Sequence, residues 1–223
     1  MPARGSRTYV TSQSEQPSAE HSAQLSAAKP STRWRVVDII VAAVLGIACG
    51  LIFWLWNGIA GTAFGVFDAV TPGLGGLAVG IWLLAGVLGG LVIRKPGAAL
   101  FVEVLAAVVS ALIGNQWGIE TVYSGLAQGL GAELVFLVVG YRRFTLVVAM
   151  LAGAVAAAFE WGLELFTSGN LAKSVAFNSV YLSTMVISGV VLAGLLAWLL
   201  VRSLAATGAL DRFAAGRERR ELV

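Results

Sequence analysis

The chain has 223 residues, of which 58% are hydrophobic and 12% charged, with a net charge of +3. Too little polar surface is available to coat a water-soluble domain, so lipid is the expected solvent. The only cysteine is Cys49 and the only histidine is His21, which excludes an intrachain disulfide and leaves no His/Cys set for a metal site.

Residues 1–33 are rich in Ser, Ala, Gln and Thr and lack the apolar stretch of a secretory signal, so a disordered tail is expected there. Beyond it, six apolar segments each reach the ~20 residues a spanning helix needs. They run over 36–57, 63–93, 97–114, 119–140, 143–167 and 174–203. The second contains "DAVTPGLGG" from Asp68 to Gly76, where Pro72 is expected to break it and leave a short dipping piece ahead of the main helix. Residues 34–205 therefore read as one six-helix transmembrane domain, and 206–223 as a basic tail. The fold class is an all-α integral membrane bundle.

The cations set the orientation. Fourteen of the 15 basic residues fall at the two ends of the chain, up to Arg35 and from Arg202 onward, or in the loops at Arg94–Lys95 and Arg142–Arg143, leaving Lys173 alone on the other side. By the positive-inside bias both termini face the cytoplasm, and the protein is a multi-pass component of the cell membrane. Outer loops are then expected at 58–62, 113–120 and 168–174, and no nucleic-acid partner is needed to explain the charge.

Small residues recur four apart on several helices, a spacing that lets backbones approach closely in lipid. Ala149, Gly153 and Ala157 on the fifth helix, like Gly86 and Gly90 or Gly125 and Gly129, suit internal packing. The stripe Ala42, Gly46 and Gly50 on the first helix suits a partner's helix.

Polar side chains inside these segments carry the functional signal, because a central carboxylate costs roughly 2.5–3.5 kcal/mol to insert. Glu103 and Glu133 lie at similar depth, about 10 Å from the cytoplasmic ends of their helices. They are candidates for a cavity floor, facing one another or sharing a proton. Glu160 and Glu164 share one face of the fifth helix with Trp161 beside them. Glu120, Tyr123, Ser124 and Gln128 occupy a broad face of the fourth, below the loop residues Asn115, Gln116 and Trp117. The sixth helix adds Asn178 and Tyr181, and the first adds Trp54 and Asn57. Single Trp or Tyr residues at this level serve as interfacial anchors. Five segments delivering amides, acids and rings to one level point instead to a binding pocket. Its chemistry suits a flat ring with several hydrogen-bonding edges, such as an aminopyrimidine, and suits a sugar less well.

Three stretches, "RWRVVDIIVAAVLGIACGLIFWLWN" (33–57), "LVIRKPGAALFVEVLAAVVSALIGNQWG" (91–118) and "GLGAELVFLVVGYRRF" (129–144), with "AAAFEW" (156–161), carry a family resemblance. The chain resembles the YkoE-type substrate-binding S components of energy-coupling factor (ECF) transporters from about 33 to 205. The resemblance implies binding of thiamine or of 4-amino-5-hydroxymethyl-2-methylpyrimidine, its hydroxymethylpyrimidine precursor. It also implies partners: one membrane coupling subunit, docking on a small-residue motif of the first helix, and two ABC ATPases. No phosphate-binding Gly-Lys-Ser/Thr loop is present, so energy is expected from those partners or from a gradient. No cofactor is called for. The alternatives are an S component for another vitamin, an ion-coupled carrier using Glu103 and Glu133, and, least supported, an intramembrane enzyme, which lacks the Ser/His pair or metal ligands such chemistry needs.

Overall fold

The computed structural model describes residues 32–210 together with Phe213 and Gly216. The expected tail over 1–33 lies almost wholly outside the described residues, as does most of the tail over 206–223. Every regular element among the described residues is helical.

Helix α1 runs unbroken over Val36–Val70, 35 residues, where a loop was expected at 58–62. Gly58, Gly61 and Gly65 do not interrupt it, because a helical glycine costs only about 1 kcal/mol and no proline intervenes. The stop comes at Thr71, held extended (φ −154°) by the ring of Pro72. Gly73 follows in a left-handed conformation (φ 100°). The chain then re-enters as a 3-10 helix, Leu74–Ile81, passes Trp82 and continues as α2, Leu84–Ile93. The dipping piece ahead of the main helix is thus this 3-10 turn, not residues 63–75.

After the turn Arg94–Gly97 come α3 (Ala98–Ile113), α4 (Glu120–Val138) and α5 (Leu146–Thr167). A short 3-10 turn, Asn170–Ala172, leads into α6 (Val175–Ser188), which passes through a π-helical stretch, Gly189–Leu195, into α7 (Leu196–Ala206). Thr145 and Ser174 begin α5 and α6 by accepting the N–H groups of Val148 and Phe177. Five rods are long and apolar enough to cross a membrane by length and composition: α1, Leu74–Ile93, α4, α5 and Val175–Ala206. The apolar α3, at 16 residues, is shorter.

Every residue of α2 is buried, so the others wrap around it. The contacts are as close as the small-residue spacing suggested. A Cβ on Gly90 would enter the Phe136 ring, one on Gly131 would meet the Ala156 backbone, and one on Gly153 would meet the carbonyl of Gly189.

The stripe on α1 behaves the same way, which corrects the expectation of a partner contact there. Ala42 has no exposed surface. A Cβ on Gly46 would lie 2.7 Å from Leu105, and one on Gly50 2.8 Å from the carbonyl oxygen of Ala106. Gly46 and Gly50 are filled from within by α3, Ala42 is buried, and α1 exposes Ile40, Val44, Ile47 and Leu51 instead.

The 3-10 helix is fastened to α6 by hydroxyls. Ser188 Oγ accepts the N–H of Gly80 (2.9 Å) and donates to the carbonyl of Leu77 (2.7 Å), while Thr184 donates to the carbonyl of Gly73 (2.8 Å). These bonds satisfy backbone groups that a tight 3-10 turn leaves over inside an apolar bundle.

At the end bearing Arg33, Arg94 and Arg142, Asp38 is fully buried. Its carboxylate accepts from the Arg35 backbone (2.8 Å), the Arg35 guanidinium (2.8 Å) and Lys95 Nζ (2.5 Å). The start of α1 is thereby tied to the α2–α3 turn.

Candidate functional site

At the opposite end, a cavity of about 290 Å³ opens among the far half of α1, Trp82, α4, α5 and α6. Its walls follow from helical spacing. Phe53, Asn57, Phe64 and Asp68 present one side of α1; Thr121, Ser124, Gly125 and Gln128 form the i, i+3, i+4, i+7 face of α4; Glu160 and Glu164 come from α5.

Trp82 is the centre of the aromatic wall. Its ring stacks on Phe64 (centroids 6.2 Å apart, 19° between planes) and meets Trp117 edge-on (5.4 Å, 84°). Its indole N–H donates to Asn57 Oδ1 (2.8 Å), and Asn57 Nδ2 donates in turn to Ser110 Oγ (2.9 Å). Across the cavity, Phe177 stacks on Tyr181 (5.5 Å, 21°), and Lys173 Nζ stands 4.2 Å from the centre of the Phe177 ring.

The polar lining is unequally charged: Asp68, Glu120, Glu160 and Glu164 face the space with Lys173 as the cationic member. Glu160 lies beside Ser124 and Gln128, and Glu164 beside Tyr181. Each of these two acids nevertheless keeps one buried oxygen, Oε2, without a hydrogen-bond partner. Asp68 uses Oδ1 to accept the N–H groups of Gly73 and Gly75 (3.0 and 2.8 Å), closing the bend where α1 ends.

Of the residues singled out from the sequence, the structure brings Asn57, Trp117, Glu120, Gln128, Glu160, Glu164 and Tyr181 together on the lining. It places the others elsewhere. Trp54 is 40% and Tyr123 51% exposed, each on the shoulder of its helix beside the inward face. Trp161, one residue round from Glu160, packs against the core. Asn115 builds the loop, its Oδ1 accepting from the N–H groups of Trp117 and Gly118 and from the Thr121 hydroxyl. Gln116 is exposed, its Nε2 3.5 Å from the carbonyl of Asn57. Asn178 braces the α5–α6 connection by donating to the carbonyl of Asn170 (2.8 Å).

Glu103 and Glu133 correct the expected cavity floor, because neither lines the cavity and each has its own structural partner. Glu103, fully buried, accepts the N–H of Gly86 (2.5 Å), one of the donors left over in the first turn of α2. Glu133 caps α3, accepting from Gly97 N (2.6 Å), Ala99 N (2.9 Å) and Leu100 N (3.3 Å) and from the Tyr141 hydroxyl (2.6 Å). Burial first, then the bond to Glu133, raise the pKa of the Tyr141 hydroxyl above its usual value.

Several lining residues escape the sequence reading: Phe64, Trp82 and Phe177 among the rings, Asp68 and Lys173 among the charges. A signal for part of this set was present, since Phe177 and Tyr181 are i and i+4 on α6, with Lys173 four residues before them in the connection.

The fold and the hollow define an all-helical multi-pass membrane protein with an aromatic and acidic cavity at one end, and the comparisons give its kind. The family described as "ABC-type cobalt transport system, permease component" matches residues 37–159. The chain is 37% identical over 187 residues to the protein of Bacillus subtilis (strain 168) named "Putative HMP/thiamine permease protein YkoE", covering 83% of this chain and 92% of that one. It also matches the crystal structure of an S-component of an ECF transporter, with 34% identity and a TM-score of 0.74, over 85% of this chain and 94% of that one. The chain belongs to the YkoE-type S components of ECF transporters. Its relatives are transport subunits and not enzymes.

Proposed function

We propose that this chain captures thiamine, or its hydroxymethylpyrimidine precursor, in the 290 Å³ cavity and delivers it across the cell membrane. The observation that carries this reading is the pairing of a Phe64–Trp82–Trp117 ring wall with two acids, each with a buried, unpartnered oxygen. A flat heteroaromatic ring stacks on such a wall, and its amino group or cationic partner ring supplies the donors and positive charge that Glu160 and Glu164 lack. The name of the Bacillus relative points to the same cargo. Although a cobalt system gives the matched family its description, no three metal-ligating side chains group together among the described residues.

In this reading the basic end faces the cytoplasm with both termini, by the positive-inside bias, and the cavity opens outward. One coupling subunit and two ABC ATPases supply the energy. With Gly46 and Gly50 committed to α3 and Ala42 buried, docking on α1 falls to its exposed Ile40, Val44, Ile47 and Leu51 face.

Calorimetric titration of the purified protein with thiamine and with the pyrimidine tests the cargo. Binding of at least one, weakened about tenfold or more by Glu160→Gln or Trp117→Ala, is expected. Folded protein that binds neither refutes it. Uptake that persists without ATPase subunits and collapses with an uncoupler would mark an ion-coupled carrier instead.

A further inference from the structure

Trp82 is the one ring that touches the other wall members Phe64 and Trp117, and it also meets Trp56 edge-on (6.5 Å, 64°). It sits where the 3-10 helix ends and α2 has yet to begin, so regular helical backbone does not extend through it on both sides. Its indole N–H is a donor only, and the group that receives it is Asn57 Oδ1. A carboxamide has two nearly isosteric ends, one accepting and one donating. The donor-only indole selects Oδ1, which leaves Nδ2 in need of an acceptor and the amide plane free to twist until it has one.

Ser110 removes that freedom. It lies on α3 with no exposed surface, outside the cavity lining, and its Oγ accepts from Asn57 Nδ2 at 2.9 Å. With Nδ2 tied to Ser110 and Oδ1 to the indole, the amide plane is held at both ends. The indole, a donor only, sets the sense of the amide; the Ser110 hydroxyl, which could face either end, sets its place. Three rods, α1, α3 and the broken second segment, are joined by this two-bond chain.

We infer that Ser110 is a positioning residue for cargo binding, acting through Asn57 to fix the plane of Trp82 in the cavity wall. The inference rests on the reading of the cavity as the cargo site. It adds a residue that no contact with cargo would reveal.

The test uses the full chain labelled with 5-fluorotryptophan, with the Trp82 resonance assigned by Trp82→Phe. Ser110→Ala is expected to shift or broaden the Trp82 resonance of the ligand-free protein while leaving that of Trp198 in place. It is expected to weaken thiamine or pyrimidine binding about tenfold. Ser110→Cys keeps the volume but offers a weak acceptor, and it is expected to move both readouts in the same direction. It also carries the test if the alanine variant does not fold.

A Trp82 resonance and an affinity unchanged in both variants overturn the inference. So does an effect of alanine that cysteine fully restores, which would make Ser110 a matter of packing. A shifted resonance with unchanged affinity also overturns it. If wild-type protein binds neither compound, the cargo reading fails on its own, and a Trp82 resonance that does not respond to Ser110→Ala refutes the positioning separately.

Discussion

Gly80→Ala perturbs the contact that holds the cavity's aromatic wall. A Cβ there would lie 2.5 Å from the carbonyl oxygen of Ser188, whereas ordinary contact begins at 3.4 Å. The 3-10 helix must therefore back away from α6 by about 0.9 Å, the difference of those two distances. That movement strains the bonds Gly80 N–H to Ser188 Oγ and Ser188 Oγ–H to the Leu77 carbonyl. At about 0.5–1.5 kcal/mol for each bond and about 1–3 kcal/mol for overpacking, the expected loss is about 2–6 kcal/mol. Because the displaced segment ends at Trp82, thiamine affinity is expected to fall as well. The control is Gly58→Ala, where nothing lies within 4 Å. That change relieves a helical glycine and is expected to be neutral or stabilising by up to about 1 kcal/mol. Thermal unfolding in detergent micelles, read with calorimetric titration, separates the two. Gly80→Ala unfolding at the wild-type temperature, or Gly58→Ala falling as far as Gly80→Ala, refutes the argument.

Asp38→Asn is expected to cost about 1.5–3 kcal/mol in thermal unfolding, since the half-buried Lys95 ammonium loses a charged acceptor. Adding Lys95→Met should recover part of that loss. Gly46→Leu is expected to lower the unfolding temperature by driving α1 away from Leu105, and a wild-type value would restore the case for a free stripe. Tyr141 gives a pH dependence. Its folded pKa is raised from 10.0, so its contribution is complete below pH 10 and declines as pH rises further. Stability measured from pH 8 upward should therefore fall less steeply above pH 10 in Tyr141→Phe than in the wild type.

The apolar segments were legible because their lengths exceed what a soluble core needs, and Pro72 was legible as a breaker because its ring forbids helix at Thr71. The loop expected at 58–62 fell between two segments drawn to spanning length, whereas Asn57, Gly58 and Gly61, in an apolar run, leave helical hydrogen bonding unbroken. Glu160, Glu164 and Gln128 stood out because a buried polar group needs a reason. Phe64, Trp82 and Phe177 did not, since an aromatic ring in an apolar helix looks the same whether it packs or lines a hollow. Periodicity assigned Trp54 and Tyr123 to a face but carried no information on which flank of it turns inward. Glu133 was unreadable for a different cause. The amides it caps belong to a turn more than 30 residues earlier, and only the fold brings them together.

The length of α1 has a mechanical consequence. Asp38, pinned between Arg35 and Lys95, and Asp68, at the cavity bend, belong to one uninterrupted rod. Thirty residues separate them, about 45 Å at helical rise, so a rotation of about 10° about the pinned end sweeps the far end through roughly 8 Å. A coupling subunit pressing near Ile40 would thus work a long lever, with little motion at the handle and a wide arc at the mouth of the vessel.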